Sequence, residues 1–309
     1  MAHGLGHCKA RKHENAHREK NNKNKKNRKE DFSDDEQDHT VGKTGNPLGT
    51  DVLKMLKTTT GLDDADAWRN VWLLVSKSEH DNEDPAKAFL TDKGKSLFSY
   101  ASALSYDWKE RGVTTGIVGW TTACDGKDGK GDAPVLFKIY KELGGEDLMK
   151  YCDGCTKNKA KCSALIKKVE SLADDPKWIQ AQWKQLVTKA DDGAYLFHTV
   201  DTWKKLGIQP SALAIATVFD ASLNQGSGGK DGGCTNLEKL GVKGDEDETL
   251  KKYNAWRRKV AGTNDYNSPK SNGEHRADMF EELRKAKQFD LKGAEAAKAI
   301  KKAISWEMK

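Results

Sequence analysis

Residues 210–223, PSALAIATVFDASL, are apolar on nearly every side. A helix of this composition has no face to offer water, so other elements must enclose it. Leu213, Ala216, Asp220 and Leu223 fall on one stripe of that helix, which carries a carboxylate into the interior. A buried carboxylate is tolerable only with cations and hydrogen bonds around it.

Most of the remaining chain supplies helices to surround this one. GLDDADAWRNVWLLVSKSEHD opens with an Asp N-cap at Asp63 or Asp64, then sets Trp68, Val71, Trp72 and Val75 at helical spacing. Further helical patterns lie near 92–106, 133–143, 158–171, 176–189, 246–260, 275–287 and 293–306, with Gly-rich breaks at GKDGKGD and QGSGGKDGG. The one strong β signal is VTTGIVGW, short and β-branched. These patterns predict a mostly α domain (α+β) with a small sheet over residues 49–309. Trp68, Trp72 and Trp256 are expected in its core, whereas Trp120 is open to either a core or a sugar-stacking reading.

Residues 1–48 are different. They hold 11 Lys/Arg and 8 Asp/Glu, with a basic block NNKNKKNRKE and an acidic block DFSDDEQDH. Within residues 1–47, Leu5, Phe32 and Val41 are too few large apolar groups to offset the entropy of ordering, so this segment reads as a disordered tail. A nucleic-acid or membrane-surface arm is the alternative to a solvated tail. The opening MAHGLGHCKARKHENAHREK has no apolar h-region of a secretory signal, and no stretch approaches the roughly 18 apolar residues of a membrane span.

Two places suggest chemistry. Glu79 follows Val75 by four and continues the apolar stripe of its helix. Partial desolvation there raises a carboxyl pKa, as a general acid requires. The alternative is a helix end at which Glu79 simply reaches solvent. Asp107, Glu110 and Arg111 precede a Gly-containing turn into the β segment, and Thr114 adds a hydroxyl able to hold a water. An ordinary surface turn with a local ion pair accounts for the same residues.

Several segments, in one order across about 61–291, resemble chitosanases of glycoside hydrolase family 46, members of the lysozyme-like superfamily. GLDD with Glu79 in LVSKSE is similar to the family's opening helix and catalytic glutamate. RGVTTGIVGW, then GDAPVLFKIY, resembles its RG-x-T-x-GI-x-GF segment and the GD that starts a helix. FDASLNQGSG resembles YDA-x-x-x-HGPG, with Gln225 where histidine is usual. HRAD and KQFDL are similar to the RVD and GNLDL segments.

This resemblance implies a lysozyme-like fold of two helical lobes and a small sheet flanking a substrate cleft. It also implies inverting endo-hydrolysis of β-1,4-linked glucosamine in chitosan. Glu79 would be the general acid. The base is Asp107 or its rival Glu110, because Lys109 stands where the family's aspartate is usual, and Thr114 would position the water. Arg111, Asp132 and Asp125 would face substrate, Asp132 or Asp125 serving as a glucosamine-binding carboxylate. Asp220 with Arg257 and Arg276 would form a supporting network, with Arg258 as the fallback if the register slips by one. No cofactor or catalytic metal is implied. The expected partner is chitosan or its oligosaccharides, with neither membrane nor specific nucleic acid, and the expected state is an extracellular monomer. A muramidase or chitinase of the same fold, or a non-catalytic glycan- or nucleic-acid-binding protein, are the competing functions.

The six cysteines include YCDGCTKNKAKC, whose C-x2-C spacing suits a disulfide, free thiols or a structural zinc knuckle.

Overall fold

The computed structural model describes residues 50–80, 100, 102–105, 108–189, 193–260 and 273–305. The tail of residues 1–48 lies outside these described residues. The order is α1 (Thr50–Thr60), α2 (Ala65–His80), β1 (Ala103–Leu104), α3 (Trp108–Arg111), β2 (Thr114–Thr115), β3 (Trp120–Thr121), β4 (Ala123–Cys124), β5 (Lys127–Asp128), α4 (Ala133–Glu142) and α5 (Met149–Cys152). A 3-10 turn (Cys155–Lys157) follows. Then come α6 (Lys159–Glu170), α7 (Pro176–Val187), α8 (Tyr195–Lys205), α9 (Ala212–Gln225), α10 (Gly233–Leu240), α11 (Glu246–Val260), α12 (Gly273–Lys285) and α13 (Gly293–Ala303). The fold is mostly helical with a small antiparallel sheet.

The apolar segment is helix α9, buried from Ala212 to Ser222 without interruption. Ser211 starts it by accepting a hydrogen bond from the Ala214 amide at 3.2 Å. Helices α2, α8, α10, α11 and α12 pack around it. Helix α2 begins at Asp64, whose carboxylate accepts from the amides of Asp66 and Ala67, both at 2.9 Å. The tryptophan stripe of α2 then wedges between α7 and α9. Trp68 and Trp72 meet the Trp183 ring edge-on at 6.1 and 5.9 Å, and Trp72 also lies 6.3 Å from Phe219.

A second group of helices carries the sheet. Helix α4 packs on α7, and α1 lies against α7 and α8. Asp175 caps α7, with Pro176 at its first position. Strands β1, β2 and β3 form a meander with Leu104 opposite Thr114 and Thr114 opposite Thr121. Strands β4 and β5 form a separate hairpin whose turn, Asp125-Gly126, has both residues at positive φ (51° and 75°). That is the left-handed pair required by a two-residue turn of the mirror-image type.

Two differences from the sequence reading have physical causes, and the open tryptophan and cysteine readings are decided as well. Of the helical pattern near 92–106, residues 92–99, 101 and 106 lie outside the described residues, and 103–104 form β1, because pairing with β2 satisfies backbone groups that local preference would place in a helix. The VTTGIVGW segment is not one strand but two, with a turn through Gly116 and Gly119. Trp120 is fully buried, and Trp256 is half-buried against the core. Cys155 and Cys162 form a disulfide. That pairing removes two thiolates from the zinc set considered for this run, while Cys152 and Cys234 are buried free thiols.

Candidate functional site

The end of α2 is unusual for a helix terminus. Ser76, Lys77 and Ser78, three consecutive polar residues, are all at least 99% buried. Glu79 is the next residue on the helix backbone. The Glu79 side chain and all of Asp107 lie outside the described residues.

The residues that brace this helix end are well defined. Asp220 on α9 is fully buried, as is Arg257 on α11, and Arg276 on α12 is 2% exposed. Arg257 donates to Asp220 Oδ2 at 2.7 Å, and Arg276 Nη1 stands 3.6 Å from Asp220 Oδ1. The other terminal nitrogen of Arg276 donates to the carbonyl of Ser78 at 2.6 Å. One guanidinium therefore spans from the α9 carboxylate to the last turn of α2, immediately before Glu79. A planar fork with several donors allows this; a lysine ammonium would not serve both points with fixed geometry. Arg257 also lies 5.8 Å from the Phe280 ring, which adds a cation–π contact. Arg258 is exposed at the surface and pairs with Asp278, not with Asp220.

The second candidate group sits on the α3 turn and the sheet. Glu110 is exposed, Arg111 is half-buried and Thr114 is 6% exposed within the β1–β2–β3 meander. Gly112, with φ 68°, makes the turn from α3 into β2. An added Cβ there would lie 2.1 Å from Thr122 Oγ1. Thr122 is a shaping residue that the sequence reading missed. Its hydroxyl accepts from the Val113 amide at 2.9 Å and reaches the Arg111 carbonyl at 3.4 Å. Ser78 was missed likewise, since it contributes its backbone carbonyl, which no side-chain pattern reveals.

The two candidate subsite carboxylates have different settings. Asp132 precedes α4 without capping it; its Oδ1 accepts from the Thr121 amide at 2.6 Å, tying the helix start to β3. Its own carbonyl accepts from Gln185 Nε2 at 2.9 Å. Asp125 is exposed at the tip of the β4–β5 hairpin. Gln225, at the last position of α9, is 9% exposed, and both atoms of its carboxamide lack a hydrogen-bond partner among the described residues.

Among the described residues no group of three or more His, Cys, Asp or Glu converges to hold a metal ion. No helix among them is long and apolar enough to cross a membrane.

No family model matches the chain. No curated protein matches it in sequence. Solved structures do match. The native chitosanase from Bacillus subtilis MY002 superposes with a TM-score of 0.53 at 22% identity, covering 74% of this chain and 92% of that one. A glutamate-to-alanine mutant of that chitosanase, complexed with 6 GlcN, matches with the same figures. The GH46 chitosanase of Gynuella sunshinyii, in complex with chitotetraose, matches with a TM-score of 0.53 at 18% identity, covering 74% of this chain and 92% of its own. The protein has the lysozyme-like fold of these GH46 chitosanases.

Proposed function

We propose that the protein is an endo-acting chitosanase that cleaves β-1,4-glucosamine linkages with inversion. The observation that carries this reading is the span of Arg276 from buried Asp220 to the Ser78 carbonyl. A buried ion cluster costs desolvation and is poor evidence for stability by itself. It makes sense as a device that fixes the helix end bearing Glu79, in a fold shared with proteins solved with glucosamine oligosaccharides bound.

Glu79 acts as general acid and protonates the glycosidic oxygen. Asp107, or Glu110 in its place, takes a proton from a water held by Thr114, and that water attacks the anomeric carbon from the opposite face. Inversion needs the two carboxyl groups roughly 6.5–9.5 Å apart. Arg111, Asp132 and Asp125 contribute to sugar subsites. Residues 49–309 carry 42 basic and 39 acidic groups, a net +3, so the domain exerts no long-range pull on a polycation. Acidity local to the cleft and hydrogen bonds to the sugars carry binding. A polymer of this size is met outside the cell by a monomer, which needs no cofactor for the reaction.

The test is to follow viscosity and reducing ends on chitosan, chitin and peptidoglycan in parallel. Chitosan should lose viscosity well before reducing ends accumulate, and the first product should be the α-anomer by NMR. Glu79→Gln should lower kcat by roughly 10²- to 10⁴-fold, and Asp107→Asn should do likewise. Full activity in Glu79→Gln refutes the reading, and cleavage of peptidoglycan alone reassigns the protein as a muramidase.

A further inference from the structure

The α3 turn is too small to hold itself. It is four residues long and none of its side chains is buried. An isolated helical turn of this length has no intrinsic stability. Trp108 packs against the core and the turn also touches the 3-10 turn; its backbone tie to the β4–β5 hairpin is the Gly126 amide, which donates to the Glu110 carbonyl at 3.0 Å. The approach is close: a Cβ on Gly126 would stand 3.2 Å from the Lys109 carbonyl. The hairpin has only two residues in each strand, and an isolated two-stranded ribbon is itself marginal in water.

The hairpin is held in part by Thr156, which is 6% exposed, in the 3-10 turn; the Gly129 amide also donates to the Thr122 carbonyl at 2.9 Å, and Cys124 in β4 is disulfide-bonded. The amide of Thr156 donates to Asp128 Oδ1 at 3.0 Å. Its hydroxyl lies 3.1 Å from both Asp128 Oδ2 and the Gly126 carbonyl and can donate to either. Gly126 thus receives support from Thr156 on one side and gives it to Glu110 on the other. The 3-10 turn is in turn bound to the start of α6 by Cys155–Cys162, and α6 is rooted in the core through Cys162, Leu165 and Val169. Cys152, three residues before Cys155, does not compete for this bond. Burial pushes its thiol up to about 12, with the charges of Asp128 and Asp147 adding to the effect, and exchange requires a thiolate.

We infer that Thr156 and Asp128, backed by the Cys155–Cys162 disulfide, are positioning residues that hold the Trp108–Arg111 turn, and with it Glu110, the described candidate for the base, in place. The inference rests on the chitosanase reading for its catalytic consequence, but not for its structural one. A base displaced by a fraction of an ångström loses rate without losing substrate affinity.

The experiment compares the full-length parent with Thr156→Val, Thr156→Ser and the double variant Cys155→Ser/Cys162→Ser. Thr156→Val should lower kcat on chitosan about tenfold with KM changed less than about twofold, and Thr156→Ser should restore most of it. Amide hydrogen exchange at Gly126 and Gly112 should quicken in Thr156→Val and in the disulfide variant, and stay at the parental rate in Thr156→Ser. Parental kcat in Thr156→Val, or unaltered exchange at both glycines, overturns the inference. Exchange is read whether or not chitosan is cleaved. A parent inert on chitosan would therefore sink the functional reading and leave the clamp to be judged by exchange alone.

Discussion

The helix end before Glu79 and the turn before Gly112 are held by opposite means. At the first, three consecutive polar residues are buried, and two guanidinium groups and one carboxylate fix the backbone from inside the core. At the second, a short turn with no fully buried side chain is tied by one backbone hydrogen bond to a hairpin, which is itself clamped by a threonine and an aspartate. The buried cluster gives stiffness at a high cost if any member is lost. The surface clamp is cheap to perturb and local in its consequences. The proposed two-carboxylate reaction would need both groups aimed, one from the helix end braced by the core and the other from the turn tied by small contacts.

The strongest way to break this contrast is Asp220→Ala. It leaves two buried guanidinium groups without their carboxylate, a loss of about 3–5 kcal/mol. Thermal unfolding should fall by roughly 10 °C or more. A drop of under about 1 kcal/mol would mean that the cluster does not brace the core.

Arg276→Lys sharpens the comparison, because it keeps the charge and loses the fork. Chitosan turnover should fall about tenfold with KM little changed, since the misplacement is at the acid and not at a subsite. Equal effects on kcat and KM would argue against that. Gly112→Ala tests the other region. At φ 68°, with Thr122 Oγ1 in the way, it should cost about 1–3 kcal/mol and disturb the turn without touching the buried cluster. Chemical denaturation reads the first effect, and exchange at Val113 against Arg276 reads the second.

The smallest effect belongs to Asp247, which lies near the start of α11, outside the Asp220–Arg257–Arg276 cluster. Hydrogen bonds first from Lys287 and then from Arg284 hold its carboxyl below the ordinary aspartate value of 3.8. A carboxyl depressed in the folded state stabilises the fold above its unfolded pKa, and that contribution is lost as pH falls through the lower folded value. Asp247→Asn should therefore flatten the acid limb of the stability curve below about pH 4 and cost less than about 1 kcal/mol at pH 7, because the Asp247 and Lys287 side chains are well exposed. Urea titrations at pH 3 and pH 7 check both.

The legible parts of the sequence were those with one overriding pattern. Uniform apolarity marked α9 as buried, and a single aspartate on its interior stripe required cations. Tryptophans at helical spacing marked α2. Helix α8 was not read, because its buried face includes Thr199 and Thr202 and so lacks a clean apolar stripe. Helix α10 opens on Gly233 and α1 ends in three threonines, compositions that local propensity assigns to turns or strands.

By itself, then, the sequence determined that a buried helix would carry a carboxylate into a mostly helical core, because no arrangement of that segment leaves it a solvent face. It also determined, through Gly112, where the chain turns into the sheet. Tertiary structure alone decided that Arg276 spans Asp220 and the Ser78 carbonyl, that Arg258 pairs outward, and that Thr156 holds a hairpin far from it in the chain. Those contacts join backbone atoms and residues tens or hundreds of positions apart, and spacing along one helix or strand carries no trace of them.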